Sequence, residues 1–204
     1  MNLQDNGQDN LVEVPPDTPG NLSIVLQGNG NRVRIGANCR FPNLRIDIRA
    51  NQCVVDIGIK CVLIGEIDCR DHRTHLLIGA KTTAMGLRIT LHEPGTIRIG
   101  EDCMFAGGVR MDTSDMHSIL DLATGDRLNP PGDIEIGNHV WLGYGTCVMK
   151  GVTIGQGCVV GTRAVVTKSL PPHSLAAGVP ARVIRTGVTW DRRRLPLKNA
   201  PPKI

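Results

Sequence analysis

The chain has 204 residues, with 23 basic against 19 acidic side chains and a formal net charge of +4. That is the size of one domain with a sizeable core, and so mild a charge, with no aromatic-interleaved basic run, excludes a typical nucleic-acid binder. No apolar run approaches the about 20 residues of a membrane helix. The polar, Pro-rich start lacks the basic-then-apolar order of a signal peptide, so the expected compartment is the cytoplasm.

Aromatic residues make up only 2%, while there are 24 glycines and 13 prolines. A core built from Ile, Val, Leu, Ala and Cys in narrow repeated layers fits that balance. The cysteines are Cys39, Cys53, Cys61, Cys69, Cys103, Cys147 and Cys158, and none forms a C-x-x-C pair. They read as small buried apolar side chains.

Taken in chain order, residues 1–20 read as a polar cap segment, residues 21–187 as one repetitive domain and residues 188–204 as a basic tail. Within the domain, Ile35-Gly36, Ile57-Gly58, Ile78-Gly79 and Ile99-Gly100 recur at steps of 22, 21 and 21, each followed at the fourth place by Cys39, Cys61, Thr82 or Cys103. From Ile136 the period is six: Ile136, Leu142, Val148, Ile154, Val160 and Val166. Six is neither a helical period nor simple alternation. It suits a triangular prism in which each hexad makes one short strand and one corner, three hexads close a coil, and coils stack by parallel β hydrogen bonds. The longer early coils are the same unit with three or four inserted residues.

The rhythm breaks between Met111 and Ile136. Residues 113–133 (TSDMHSILDLATGDRLNPPGD) form a polar loop that a stack of coils does not need, and such loops are commonly functional. The loop holds one histidine, His117. Imidazole suits general-base work near neutrality, and Asp115 or Asp121 could hold its second nitrogen. The plainer alternative is a solvated loop histidine.

The run IGNHVWLGYGTCVMKGVTIGQGCVVGTRAVVTKSLPPHSLAAGVPARVIR, from Ile136 to Arg185, resembles the hexapeptide-repeat acetyltransferases. The likeness is to the galactoside, maltose and xenobiotic branch and to the acetyltransferases of bacterial surface polysaccharides. VWLG, VVTK and AAGVPARVIR together carry it. The resemblance implies a left-handed parallel β-helix assembled as a homotrimer, with acetyl-CoA as donor and no metal. It implies His117 as general base, placed at the family's distance before Trp141, and Trp141 on the acyl-CoA tunnel. It further implies Thr167, Lys168, Arg182 and Arg185 on the nucleotide phosphates. Gly143 and Gly161 would lie beside the pantetheine arm, or serve only as corner glycines. The implied activity is O-acetylation (N-acetylation being the variant) of a saccharide in surface polysaccharide synthesis, with an antibiotic or other xenobiotic as second choice. Two rivals share the fold. A γ-carbonic-anhydrase-like enzyme would need His92, His117 and His139 to converge on a metal. A non-catalytic scaffold would show a regular outward Thr ladder, which the outward Asn138, Gln156 and Arg163 do not make.

Overall fold

A computed structural model describes residues 1–196; Lys198 and Lys203 of the basic tail lie outside the described residues. Every regular element among these residues is a β-strand, and neighbouring strands are successive turns of one parallel solenoid, except the last, Arg182–Thr186, which folds back antiparallel. In the C-terminal half each turn has three faces. The first carries Met104–Phe105, Trp141–Leu142, Val159–Val160 and Ser174–Ala177. The second carries Val109–Asp112, Cys147–Val148 and Val165–Val166. The third carries Gly95–Ile99, Ile134–Ile136 and Thr153–Ile154.

The six-residue series therefore splits as the prism requires. Ile136 and Ile154 are cross-strand partners, as are Leu142 and Val160, and Val148 and Val166. The earlier Ile-Gly series joins the same column, with Ile35, Ile57, Ile78, Ile99 and Ile136 in register along the third face. These side chains are at most 4% exposed and fill the prism. In the N-terminal half the first two faces are traced by single bent strands, Arg40–Ile48, Val62–Cys69 and Thr83–Leu91. Their bends fall at register shifts such as Ile64/Gly65. Third-face strands of four or five residues, against two or three later on, account for part of the longer repeat.

The small residue four places after each third-face isoleucine has a polar use as well. The Cys39, Cys61 and Cys103 thiols and the Thr82 hydroxyl donate to the Gly58, Gly79, Gly137 and Gly100 carbonyls of the next coil, at 3.0–3.3 Å. All seven cysteines are free and only Cys147 is less than buried.

Two expected boundaries are not divisions of the fold. Within residues 1–20, Asn2–Asp5 already pairs with Ser23–Leu26, and Leu11–Glu13 with Arg32–Arg34, so the cap segment is itself the first coil. An end coil needs an apolar lining only toward the neighbour it covers, which is why its sequence reads as polar. At the other end, the described part of the tail is a docked strap. Trp190, 8% exposed, stacks on His139 with ring centroids 4.1 Å apart and its indole N–H donates to the His139 carbonyl at 2.8 Å. Arg192 reaches Asp102 Oδ1 at 3.1 Å and the Cys103 carbonyl at 3.0 Å, one coil further toward the N-terminus than His139.

The corners are tight. A Cβ on Gly137 would lie 2.6 Å from the Gln156 backbone nitrogen, whereas one on Gly151 would meet nothing within 4 Å although its φ is +72°. Gly137→Ala should therefore cost about 3 kcal/mol or more, since backbone cannot yield. Gly151→Ala should cost only the about 1–2 kcal/mol of a left-handed Cβ. Urea midpoints at constant m would separate the two, and equal losses would show that coil contact does not govern the corner glycines.

Candidate active site

The loop 113–133 replaces one corner, the one between the second and third faces. It leaves after Asp112 and returns at Asp133 ahead of Ile134–Ile136. Below it on the same corner stand His92 and Glu93; above it stand Met149 and Lys150, then Thr167 and Lys168. His117 is exposed at the start of this loop. The residue before it, Met116, has φ of +64°, a left-handed turn held by its N–H donating to the Ser114 hydroxyl at 3.0 Å. A left-handed non-glycine residue costs about 1–2 kcal/mol, so the surrounding contacts must hold it.

Two ion pairs and one amide do so. Arg127 makes a two-nitrogen contact with the Glu93 carboxylate at 2.7 and 2.8 Å, and the Ser114 hydroxyl donates to the same group at 2.6 Å. These contacts hold the Glu93 carboxyl down to about 2, Arg127 contributing most and Ser114 next. The anchor is thus intact from the ordinary carboxylate range upward and is lost only as pH falls through about 2. Lys150 Nζ lies 2.5 Å from Asp115 Oδ2. That contact, and then Asn129, keep the Asp115 carboxyl below its usual range. Asn129, 7% exposed, is the keystone. Its oxygen accepts the Ile119 N–H at 2.7 Å, and its amide nitrogen donates at 2.8 Å both to Asp115 and to the His117 carbonyl.

In this structure neither expected orienting acid is bonded to the His117 ring. Asp115 binds Lys150 and Asn129 through Oδ2, and Asp121 accepts the backbone N–H groups of Ala123 and Thr124 in its own turn. A short Asp side chain that closes a local turn has no reach left for an imidazole several residues away. His117 is placed through its backbone instead. Asn129, Glu93 and Lys150 were missed in the sequence, because two of the three lie on neighbouring coils 24 and 33 residues from His117.

The remaining expected site residues fall into two groups. Thr167 and Lys168 are exposed on the loop corner, two coils above the loop's departure. Trp141 stands on the first face, 37% exposed, beyond the third-face strand Ile134–Ile136 and so on the other side of that face from the loop. It lies 6.2 Å from Trp190, ring to ring. Arg182 and Arg185 share its face, on the exposed strand Arg182–Thr186 that closes the stack antiparallel to Ser174–Ala177. Gly143 and Gly161 are explained by stacking: added Cβ atoms would lie 2.7 Å from Thr162 nitrogen and 3.0 Å from Ala177 Cβ. The trio considered for a metal does not converge, since His92 and His117 belong to the loop corner and His139 to the corner before Trp141, where Asp102 and Trp190 hold it. From Ile136 to Trp190 the chain has no Asp or Glu, and among the described residues Lys168, Arg182 and Arg185 make no ion pair, whereas Lys150 is paired with Asp115 of the loop.

Asn129→Ala removes four hydrogen bonds that hold the loop, to Ile119, Arg127, Asp115 and His117. Amide exchange at His117 and Ile119 should speed up roughly ten- to a hundredfold, the equivalent of about 1–3 kcal/mol, with the unfolding midpoint of the coils unchanged. Unaltered exchange at both amides would show that another contact holds the loop.

The hexapeptide family model for bacterial transferases, six repeats long, matches residues 133–168. A polysialic acid O-acetyltransferase of Neisseria meningitidis is 35% identical over 189 residues, which is 92% of this chain and 88% of that protein. The solved structure of the polysialic acid O-acetyltransferase OatWY superposes with a TM-score of 0.86 at 34% identity, over 96% of this chain and 93% of that one. That of the polysialic-acid-specific acetyltransferase NeuO does so with a TM-score of 0.82 at 30% identity, over 94% and 88%. Likeness of this extent, in sequence and in coil stacking together, places the chain in the hexapeptide-repeat O-acetyltransferase family.

Proposed function

We propose that this protein transfers an acetyl group from acetyl-CoA to a hydroxyl of an acidic bacterial surface saccharide of the polysialic acid kind, with His117 as general base. The observation that carries this reading is the end-to-end likeness to polysialic acid O-acetyltransferases, in a chain whose exposed loop histidine is held by a dedicated network. His117 takes the proton as the acceptor oxygen bonds to the thioester carbonyl carbon. The carbon–sulfur bond then breaks, and the proton passes to the departing thiolate. Thr167 and Lys168 hold donor phosphates above the loop; Lys168 makes no ion pair among the described residues, which leaves it for a charge-assisted contact to phosphate. We place the reaction in the cytoplasm, where acetyl-CoA is made.

The active unit is a homotrimer. His117 and Trp141 stand on opposite sides of the third face, so one chain does not bring the proposed base and the proposed tunnel wall together. Three prisms around an axis put the loop corner of one copy against the first face of the next. The His117, Thr167 and Lys168 of one chain then meet the Trp141, Arg182 and Arg185 of another. The loop's apolar side chains support this: Ile119, Leu120 and Leu128 are each 57% exposed, and a partner surface would cover them.

His117→Ala should lower kcat by about two to four orders of magnitude while leaving the thermal midpoint unchanged; near wild-type turnover would remove His117 from the mechanism. Mixing separately inactive His117→Ala and Trp141→Ala chains, unfolded and refolded together, should restore part of the activity, because mixed trimers regain intact sites. Mixtures that stay as inactive as their parents would defeat the shared site.

A further inference from the structure

The loop corner does not end at the loop. Followed toward the N-terminus, it becomes a groove of about 470 Å³ lined by Asn29, Asn51, Gln52, His72 and Arg73, with Asp9 at its far end. Its side chains are arranged in a regular way. Asn29 Oδ1 accepts the Gln8 N–H at 2.9 Å, Asn51 Oδ1 accepts the Asn29 N–H at 2.8 Å, and His72 Nδ1 accepts the Asn51 N–H at 2.9 Å. Each side chain spends its acceptor on the neighbouring coil. What remains toward solvent is a donor: the amide nitrogens of Asn29 and Asn51, and the Nε2–H that a His72 accepting at Nδ1 must carry. Arg73 adds a guanidinium with no carboxylate partner among the described residues. Gln52 and Arg73 both have φ near +60°, which swings them outward at the corner.

Coil spacing sets the scale. Parallel strands stack about 4.8 Å apart, so His72, two coils below the loop, lies about 10 Å from its departure, and Asn29, four coils below, about 19 Å. Thr167 and Lys168 lie on the opposite side of the loop along the same corner. A donor approaching from that side leaves this groove free, pointing at His117 from the other.

We propose that this groove, on the corner N-terminal to the loop, is an extended acceptor subsite, which binds sugar residues remote from the one acetylated. The proposal rests on the acetyl-transfer reading above. Its chemistry is independent of it: a row of planar donors with one cation, lined by the single carboxylate of Asp9 and separated from the loop by Asp71, which accepts the Glu93 N–H, fits a ligand rich in hydroxyls with spaced carboxylates, and fits a neutral apolar ligand poorly.

The test compares Arg73→Glu and Gln52→Glu with the wild type. Neither side chain hydrogen-bonds within the fold, so both variants should keep the wild-type melting point. Acetyl transfer is measured with long-chain polysialic acid and with sialic acid dimer, and direct binding of both probes by calorimetry. The wild type should show a lower KM for the long chain than for the dimer. The variants should lose about tenfold in long-chain KM and affinity, near 1.4 kcal/mol, with dimer KM, acetyl-CoA KM and kcat unchanged. Equal wild-type KM for the two lengths, variants that match the wild type on long chains, or variants equally impaired on the dimer would overturn the subsite. If the wild type acetylates neither probe, the activity reading fails, and binding decides the groove separately. Long chains bound by the wild type and lost in the variants would sustain it, and long chains bound by neither or by both would overturn it.

Discussion

The structure depends on close approach of backbone to backbone at the corners of successive coils. At Gly36, Gly58, Gly79, Gly100 and Gly137, an added Cβ would lie within 2.4–2.7 Å of atoms of the next coil. Only with that approach do the corner N–H groups reach carbonyls one coil on, as Gly36 N–H reaches the Ile57 carbonyl and Gly137 N–H the Ile154 carbonyl at 2.7 and 2.8 Å. The thiol and hydroxyl donors of Cys39, Cys61, Thr82 and Cys103 belong to the same constraint. A residue at that place must be small, and if it is polar it has a carbonyl at hand. The prism is thus rigid along its length, and whatever is mounted on one corner keeps its height and heading relative to everything else on that corner.

The proposed chemistry uses that rigidity. An exposed loop by itself would give an imidazole no defined direction. Here the loop is pinned below to Glu93 and above to Lys150, on coils that flank its point of departure, and Asn129 ties its two limbs together. Ordering comes from charge-assisted contacts to the scaffold, so His117 itself can stay exposed to substrate. The same corner orders the substrates: Lys168, with no ion pair among the described residues, lies on the C-terminal side, and a ladder of neutral donors with one guanidinium on the N-terminal side. Donor and acceptor would meet at the loop by approaching along one line from opposite ends.

The C-terminal strap shows a different use of the corner before Trp141. Trp190 and Arg192 run back over His139 and Asp102, and Arg192 goes on to the Thr83 hydroxyl, so that the strap fastens three coils from outside. Arg192 also lies 5.4 Å over the Trp190 ring, which adds a cation–π contact to the fastening. The strap places the indole of Trp190 beside Trp141, and so forms part of the surface on which we place the neighbouring copy's donor.

The sequence by itself determined the repeat, the prism and the interruption at residues 113–133, because each of these is a matter of spacing along the chain: Ile136, Leu142 and Val148 report a six-residue turn whatever surrounds them. It also singled out His117, since no other histidine lies in the interruption. What only the tertiary structure decided is which residues share a corner. Glu93, Lys150 and His72 carry no local signal, and they take their roles from stacking that joins positions about 20 or more residues apart. For the same reason Asp115 and Asp121, near His117 in sequence, are turned to other partners, and Trp141 stands across a face from the histidine it was paired with by spacing. Sequence separation measures distance within a coil, whereas a solenoid builds its surfaces at right angles to the chain.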